Sequence, residues 1–349
     1  MQRCIPGTSQ EETIVGTFLP TAGSEEQHVA SWLNKITCAL EAFVPPPPLP
    51  NTVRAVTHSL TAKHHHVWSS ETSHKLITVN LLPLKPDLVL QESTELAFGP
   101  QQEFSWKNVI SFMELTSSAY SHSDNMKTVH NGVMRKAYAI FASQPNQHFL
   151  FAMSIARQEF CAHMFDHAGV VHTHPYNIHR RPCMLLHMLS FLAFGQLDQI
   201  GYDTTFIPRQ LSSPHPHAIY IESTAYDVIN RIFYNFIIHG QGTACWHVCC
   251  DRKNYVIKDS WTHVSRLSHE VDILSKIQEL KGVPRLIVAW TVQIGGSDDW
   301  TDVHHRSLSS SSDIRVHHRL LMQPVGLPLS DIKSIHELLS VLIDILDSR

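Results

Sequence analysis

Apolar residues recur at helical spacing near the start of the chain. In "SEEQHVASWLNKITCALEAFV", Val29, Trp32, Leu33, Ile36, Leu40 and Phe43 share one face. Ser24 is placed to cap this helix, with Glu25 and Glu26 in its first turn. "VPPPPLP", Val44 to Pro50, must end it, because proline lacks the amide donor and stiffens the chain into an extended spacer. The pattern then shortens to strand-like runs in "KLITVNLLPLKPDLVLQ" and "SWKNVISFMELTSSA". "VMRKAYAIFASQ", Val133 to Gln144, predicts a helix, and residues 148–178 predict strand, turn, strand, turn, strand. "CMLLHMLSFLAFG" is apolar on nearly every side, which predicts a buried helix with Gly195 as its C-cap. Residues 196–220 lose periodicity and gather Gly, Pro and Ser, which suggests a domain boundary near residue 215.

Beyond that boundary the pattern is a hairpin, a strand, a helix and two more strands. "YDVINRIFYNFIIHGQGTACWHV" predicts a strand up to His239, a turn at Gly240 and Gly242, and a return strand through Trp246 and Val248. "NYVIKDSW" is an apolar strand carrying Lys258. "SRLSHEVDILSKIQEL" is a helix with Glu270 and a buried stripe of Val271, Leu274 and Ile277. "GVPRLIVAWTVQI" and "HRLLMQPVG" are strands. "LSDIKSIHELLSVLIDIL" is an amphipathic helix with Ser330 as its expected cap. Ile335, Leu338, Leu339, Leu342, Ile345 and Leu346 form its apolar stripe.

Composition changes this picture little. The 349 residues are 43% hydrophobic with a net charge of −4, so no global basic field calls for nucleic acid or an anionic membrane. The N-terminal segment lacks a secretory layout, and seven cysteines without a repeating spacing suggest free thiols in cytoplasm or nucleus. Residues 1–24 read as a disordered tail. Histidine is abundant, at 26 residues, in clusters such as "KHHHVW", "VVHTHPYNIHR" and "DVHHRS". They lack the ligand spacing of a zinc motif, so the pattern suggests tolerated, exposed positions and no metal site.

Two carboxylates invite a chemical reading. Asp87 precedes one strand and Glu114 lies within another, as in the metal site of restriction-endonuclease-like folds. The lysine expected two residues on is Thr116, which leaves the set without a cation. In the last third, a Gly-x-Gly turn can lay backbone amides against phosphates. A strand lysine steadied by a helix glutamate can bind them, and a strand ending in Pro-x-Gly can serve as a hinge. These elements occur in the order found in a protein kinase. Cys245 stands where a third glycine is expected.

"GTACWHV", "YVIKDSWTHVSRLSHEVDIL", "GVPRLIVAWTVQIG" and "LLMQPVGLPL", with "SWKNVISFMEL", "RKAYAIFASQP" and "MFDHAGVV" upstream, resemble the fungal-type protein kinase family over residues 80–349. The resemblance implies an α+β protein. A helix and Pro-rich linker (25–50) lead to a restriction-endonuclease-like α/β domain (51–215), then a kinase-like domain (216–349). The latter holds an N-lobe of twisted antiparallel sheet plus helix, and the start of a helical C-lobe. It implies ATP as cofactor, bound by Gly240, Gly242, Lys258 and Glu270, with Met322 as gatekeeper and the backbones of Gln323 and Val325 facing adenine. No "HRD" or "DFG" occurs in the chain. The expectation is therefore a truncated, inactive pseudokinase that does not itself hold Mg²⁺. The alternatives are a non-catalytic interaction protein with protein partners, or a nuclease-like DNA-binding module. His167 and Ala168 replace Arg and Ser of the family pattern, and Cys249 and Cys250 replace basic residues, which suggests a drift of arginine codons to His and Cys.

Overall fold

The computed structural model describes residues 25–41, 66–73, 77–79, 82–92, 105–121, 125–207, 216–280, 282–305 and 313–347. The tail (1–24), Ser24 and the Pro-rich spacer lie outside them. The chain divides into two compact units: Met1–Gln144, Phe149–Phe165 and Val170–Gly201 form the first; Pro145–His148, Asp166–Gly169 and Tyr202–Arg349 form the second.

In the first unit, helix α1 (Glu25–Glu41) buries Val29 and Leu33 of the predicted stripe, with Ala30 and Thr37; Trp32, Ile36 and Leu40 are half-buried and Phe43 lies outside the described residues. Strands β1 (His66–Ser69), β2 (Ile77–Val79), β3 (Leu82–Leu84), β4 (Leu88–Glu92) and β5 (Ser111–Thr116) follow. Helix α2 (Asn125–Ser143) comes next, then β6 (Phe149–Ala156), β7 (Glu159–Asp166), β8 (Gly169–His172), β9 (Tyr176–Asn177) and helix α3 (Pro182–Phe194). The main sheet runs β1-β4-β5-β6-β7-β8, with β9 beside β7. β4 is antiparallel to β1 and β5, whereas β6 is parallel to β5, so α2 makes the crossover that a parallel pair requires. β2 and β3 form a separate hairpin.

Two local expectations change. Helix α2 starts at Asn125, eight residues before Val133, because Val129 and Val133 extend its buried face one turn backward. "SWKNVI" is not strand: Ser105 Oγ accepts the Lys107 amide and caps a short 3₁₀ turn, Trp106–Asn108, before β5. Gly195 is the C-cap of α3, as expected, and takes an extended conformation there. It is glycine for space, since a Cβ there would come within 2.5 Å of the Phe191 carbonyl oxygen.

The second unit is built on one antiparallel sheet. Its strands are β10 (Phe206–Ile207), β11 (Ala218–Ile221), β12 (Thr224–Tyr234), β13 (Ala244–Cys250) and β14 (Lys253–His263). After helix α4 (His269–Ile277) come β15 (Arg285–Thr291), a small hairpin of β16 (Gln293–Ile294) and β17 (Ser297–Asp298), and helix α5 (Asp302–His305). Strand β18 (Arg315–Gln323) and helix α6 (Ile335–Asp347) complete it. The sheet order is β10-β11-β12-β13-β14-β18-β15, so the last strand in sequence inserts between β14 and β15.

Alternation splits this sheet into two faces. Val256, Lys258 and Ser260 pair with Met322, Leu320 and His318 on one face. There Leu274 of α4 packs with Leu320 and Met322. Ile257, Asp259 and Trp261 pair with Leu321, Arg319 and His317 on the other. That face carries the main core of Phe206, Ile219, Trp246, Val248, Ile257 and Leu321.

Helix α6 is not capped by Ser330, which lies in a 3₁₀ turn, Leu329–Asp331. Ser334 takes the role: its Oγ accepts the Glu337 amide at 3.1 Å, and Glu337 accepts the Lys333 amide at 2.9 Å. Ile335, Leu338, Leu339, Leu342 and Leu346, which an apolar stripe would place against a partner, are exposed; the Ile345 side chain lies outside the described residues.

Candidate functional site

Lys258 projects from β14 between Cys245 of β13 and Leu320 of β18. Helix α4 follows β14 and sets Glu270 in its first turn, where a carboxylate suits the helix dipole. Lys258 Nζ donates to Glu270 Oε1 at 2.5 Å. The pair is half-exposed, so its net contribution to stability is about 0–1 kcal/mol. Such a contact has more to offer in positioning an ammonium than in holding the fold. Burial, partly offset by the Lys258 charge, pushes the Cys245 thiol up to about 11, so it is neutral at physiological pH.

The glycine turn differs from its expected form. β12 stops at Tyr234, so residues 235–243 form a nine-residue loop rather than a tight hairpin turn. Gly240 and Gly242 both have positive φ, 142° and 49°. The Gly240 amide donates to the His167 carbonyl at 3.1 Å, and the Trp261 amide donates to the Gln241 carbonyl at 2.7 Å. A Cβ on Gly242 would meet the His167 ring at 2.4 Å. The loop is therefore tied to the protein, and the Gly240 N–H is already used. Met322 is buried between α4 and the sheet, while Gln323 and Val325 are half-buried at the strand end. The structure thus brings together Lys258 and Glu270, and leaves the glycines attached to His167.

The opposite face of the sheet holds charged residues that pattern reading missed. Arg319 is fully buried. Its Nε donates to Asp259 Oδ1 at 2.7 Å and its Nη2 to Asp259 Oδ2 at 3.0 Å and Asp203 Oδ2 at 2.6 Å; Nη1 donates to Thr205 Oγ1 at 2.9 Å. His317 bridges Asp299 Oδ2 at 3.1 Å and Asp259 Oδ1 at 3.0 Å. His148 lies 2.7 Å from Asp299 Oδ2 and 3.4 Å from Asp203 Oδ2. The Trp261 ring stacks with both His167 and His317.

The network sorts its own charges. Burial opposes a charge on His148, but Asp299 and Asp203 outweigh it and raise the imidazole to about 10. Burial, with His317 adding to it, lowers His167 to about 3. Asp203 and Asp259 resist the upward push of burial because Arg319 holds both below the usual carboxylate range. The expectation that the histidines are exposed fails here and elsewhere: His66, His148, His163, His167, His317 and His318 are all buried. The sequence hint is "RVHHRLLM", where basic residues run directly into the apolar end of the same strand.

In the first unit, Asp87 and Glu114 sit on neighbouring strands, with the adjacent pair Leu88 and Met113 in register. Asp87 Oδ2 accepts the Leu115 amide at 2.7 Å. The cation absent at Thr116 is present after all: Lys136, buried on α2, pairs with Glu114. Sequence spacing missed it because the crossover helix brings a residue 22 positions on back over the strand. Burial raises Glu114 to about 7 despite Lys136, and Asp87 adds to the rise.

Among the described residues, no helix is long and apolar enough to cross a membrane. All described cysteines are free thiols. No curated protein matches the chain. The sequence matches the family described as fungal protein kinase over residues 85–348, which spans both units. The chain therefore belongs to the fungal protein kinase family.

Proposed function

We propose that the second unit is a kinase N-lobe that binds an adenine nucleotide on the face carrying Lys258, and that this chain alone does not transfer the γ-phosphoryl group. The Lys258–Glu270 contact carries the reading. The strand order supports it. β12, β13, β14, β15 and β18 would be the five lobe strands in sequence, with β18 paired inside β15 and α4 between β14 and β15. Lys258 would contact the phosphates, Met322 would line the back of the adenine site, and the backbones of Gln323 and Val325 would face the base. Phosphate contact rests on Lys258 rather than on Gly240, whose amide is engaged by His167. Transfer needs an aspartate for the substrate hydroxyl and another for the metal, in the His-Arg-Asp and Asp-Phe-Gly motifs that this chain lacks.

Lys258→Met tests this. The variant should lose less than about 1 kcal/mol of stability, since the pair is half-exposed. Saturating ATP at about 100 times Kd should stabilise the natural chain by about 2.7 kcal/mol and leave the variant unmoved. Thermal melts with and without ATP read both. Equal stabilisation of the two proteins would remove Lys258 from the site, and robust phosphorylation by the purified chain would overturn the claim of inactivity.

One observation favours a second reading for the first unit, Mg²⁺-dependent phosphodiester cleavage. Lys136 supplies the cation that Thr116 does not. Asp87 and Glu114 would hold Mg²⁺, and Lys136 would orient the water. The Glu114 carboxyl, raised to about 7, must ionise first, so activity should climb as pH rises through about 7. Plasmid nicking with Mg²⁺, abolished by Glu114→Ala and Lys136→Met, is the expected result; no nicking at pH 8.5 would leave the trio as a structural ion pair.

A further inference from the structure

Three histidines from separate elements of the first unit converge: His130 on α2, His163 on β7 and His172 on β8. One ring nitrogen of each lies within 4.8 Å of the other two. We propose that these three imidazoles form a binding site for a divalent transition ion of zinc's chemistry, with solvent water as the fourth ligand.

The donors have the right chemistry. Imidazole suits zinc, and three protein nitrogens with an open fourth position make a tetrahedral site. No carboxylate belongs to the cluster, which disfavours Mg²⁺ and Ca²⁺. A metal ligand must be unprotonated, and these rings are disposed that way. Burial, reinforced by His172 and His130, lowers His163 to about 3; burial and His172 lower His130; burial lowers His172.

The geometry adds further points. Nε2 of His130 is buried without a hydrogen-bond partner, a nitrogen lone pair or N–H left unused in the protein. His163 Nε2 lies 2.7 Å from Ser154 Oγ, which lies 2.5 Å from the Tyr120 hydroxyl. That relay fixes the His163 ring as outer hydrogen bonds fix metal-bound imidazoles. His172 is exposed at the rim, so solvent reaches the fourth position. His130 and His172 stack at 4.1 Å. Zn–N bonds of about 2.0–2.1 Å require the nitrogens to draw in to about 3.3 Å of one another, so the His130–His172 stack must open and all three side chains must adjust when the ion binds. The sequence hides the site because its ligands are 33 and 9 residues apart and only β7 and β8 pairing on one sheet with α2 joins them.

The test uses the full chain, free of any histidine tag. Zn²⁺ titration by calorimetry should show one site per chain. Co²⁺ should give the intense visible bands of tetrahedral coordination, and Zn²⁺ should raise the melting temperature. The double variant His130→Gln/His172→Gln, which leaves buried His163 in place, should weaken Zn²⁺ binding at least 100-fold and abolish both the bands and the shift. His304→Gln/His305→Gln, which removes a tandem pair outside the cluster, should change none of them. Weak multi-site binding, or a single site kept by the first variant and lost by the second, would overturn the proposal.

Discussion

Replacing Arg319 with leucine should destabilise the second unit by about 3–5 kcal/mol, the cost of breaking a buried ion pair by removing one partner. The guanidinium satisfies Asp203, Asp259 and Thr205 through four hydrogen bonds, and it is fully buried. Leucine leaves the two buried carboxylates without their guanidinium, with His148 and His317 as the basic side chains near them among the described residues. Since domains have about 5–15 kcal/mol in total, this loss is large. Arg319→Lys should rescue little, because an ammonium cannot grip Asp259 through two parallel bonds while reaching Asp203. Urea unfolding followed by tryptophan fluorescence measures it; a loss under about 1 kcal/mol would show that the network is energetically idle. Lys258→Met is the internal contrast, a lysine–glutamate pair of similar chemistry in a half-exposed place.

Alkaline pH should destabilise the same unit progressively between about 6.5 and 10. The His148 imidazole is raised from 6.5 to about 10 by Asp299 and Asp203 against the opposing effect of burial. Its stabilising contribution is fully present below 6.5 and is lost as pH rises through about 10. The groups it faces are Asp203, Asp299, His317 and Trp261. On the acid side the sign reverses. His167, depressed to about 3, contributes above 6.5 and is lost as pH falls toward 3, and the lowered aspartates are lost below 3.8. Urea midpoints should therefore peak near pH 6.5–7 and fall by pH 10. His148→Gln should lower the midpoint at neutral pH and flatten the alkaline limb. A limb of unchanged depth in that variant would assign the loss to other groups.

Much of this was readable along the chain. Periodicity marked α1 and its buried Val29 and Leu33, and the stripe of α6. The order of Gly turn, Lys258 strand, Glu270 helix and Met322 strand led to the Lys258–Glu270 contact, because each element needs only local spacing and one known neighbour. Boundaries were less legible. The loop 235–243 is longer than Gly240 and Gly242 imply, since His167 and Trp261 hold it from outside its own segment.

What the sequence determined by itself, then, is periodic burial and the family to which the chain belongs. Side-chain alternation and helical stripes are properties of consecutive residues, and the motifs are short. Tertiary structure alone decided which charges are buried together. Lys136 meets Glu114 because a helix crosses back over β5. Arg319 meets Asp203 and Asp259 because β18 inserts beside β14. His130, His163 and His172 meet because two strands pair under α2. A one-dimensional pattern scores each of these residues as polar and assigns it to solvent. Only a fold that supplies its partner makes burial affordable, and the partner lies tens of residues away.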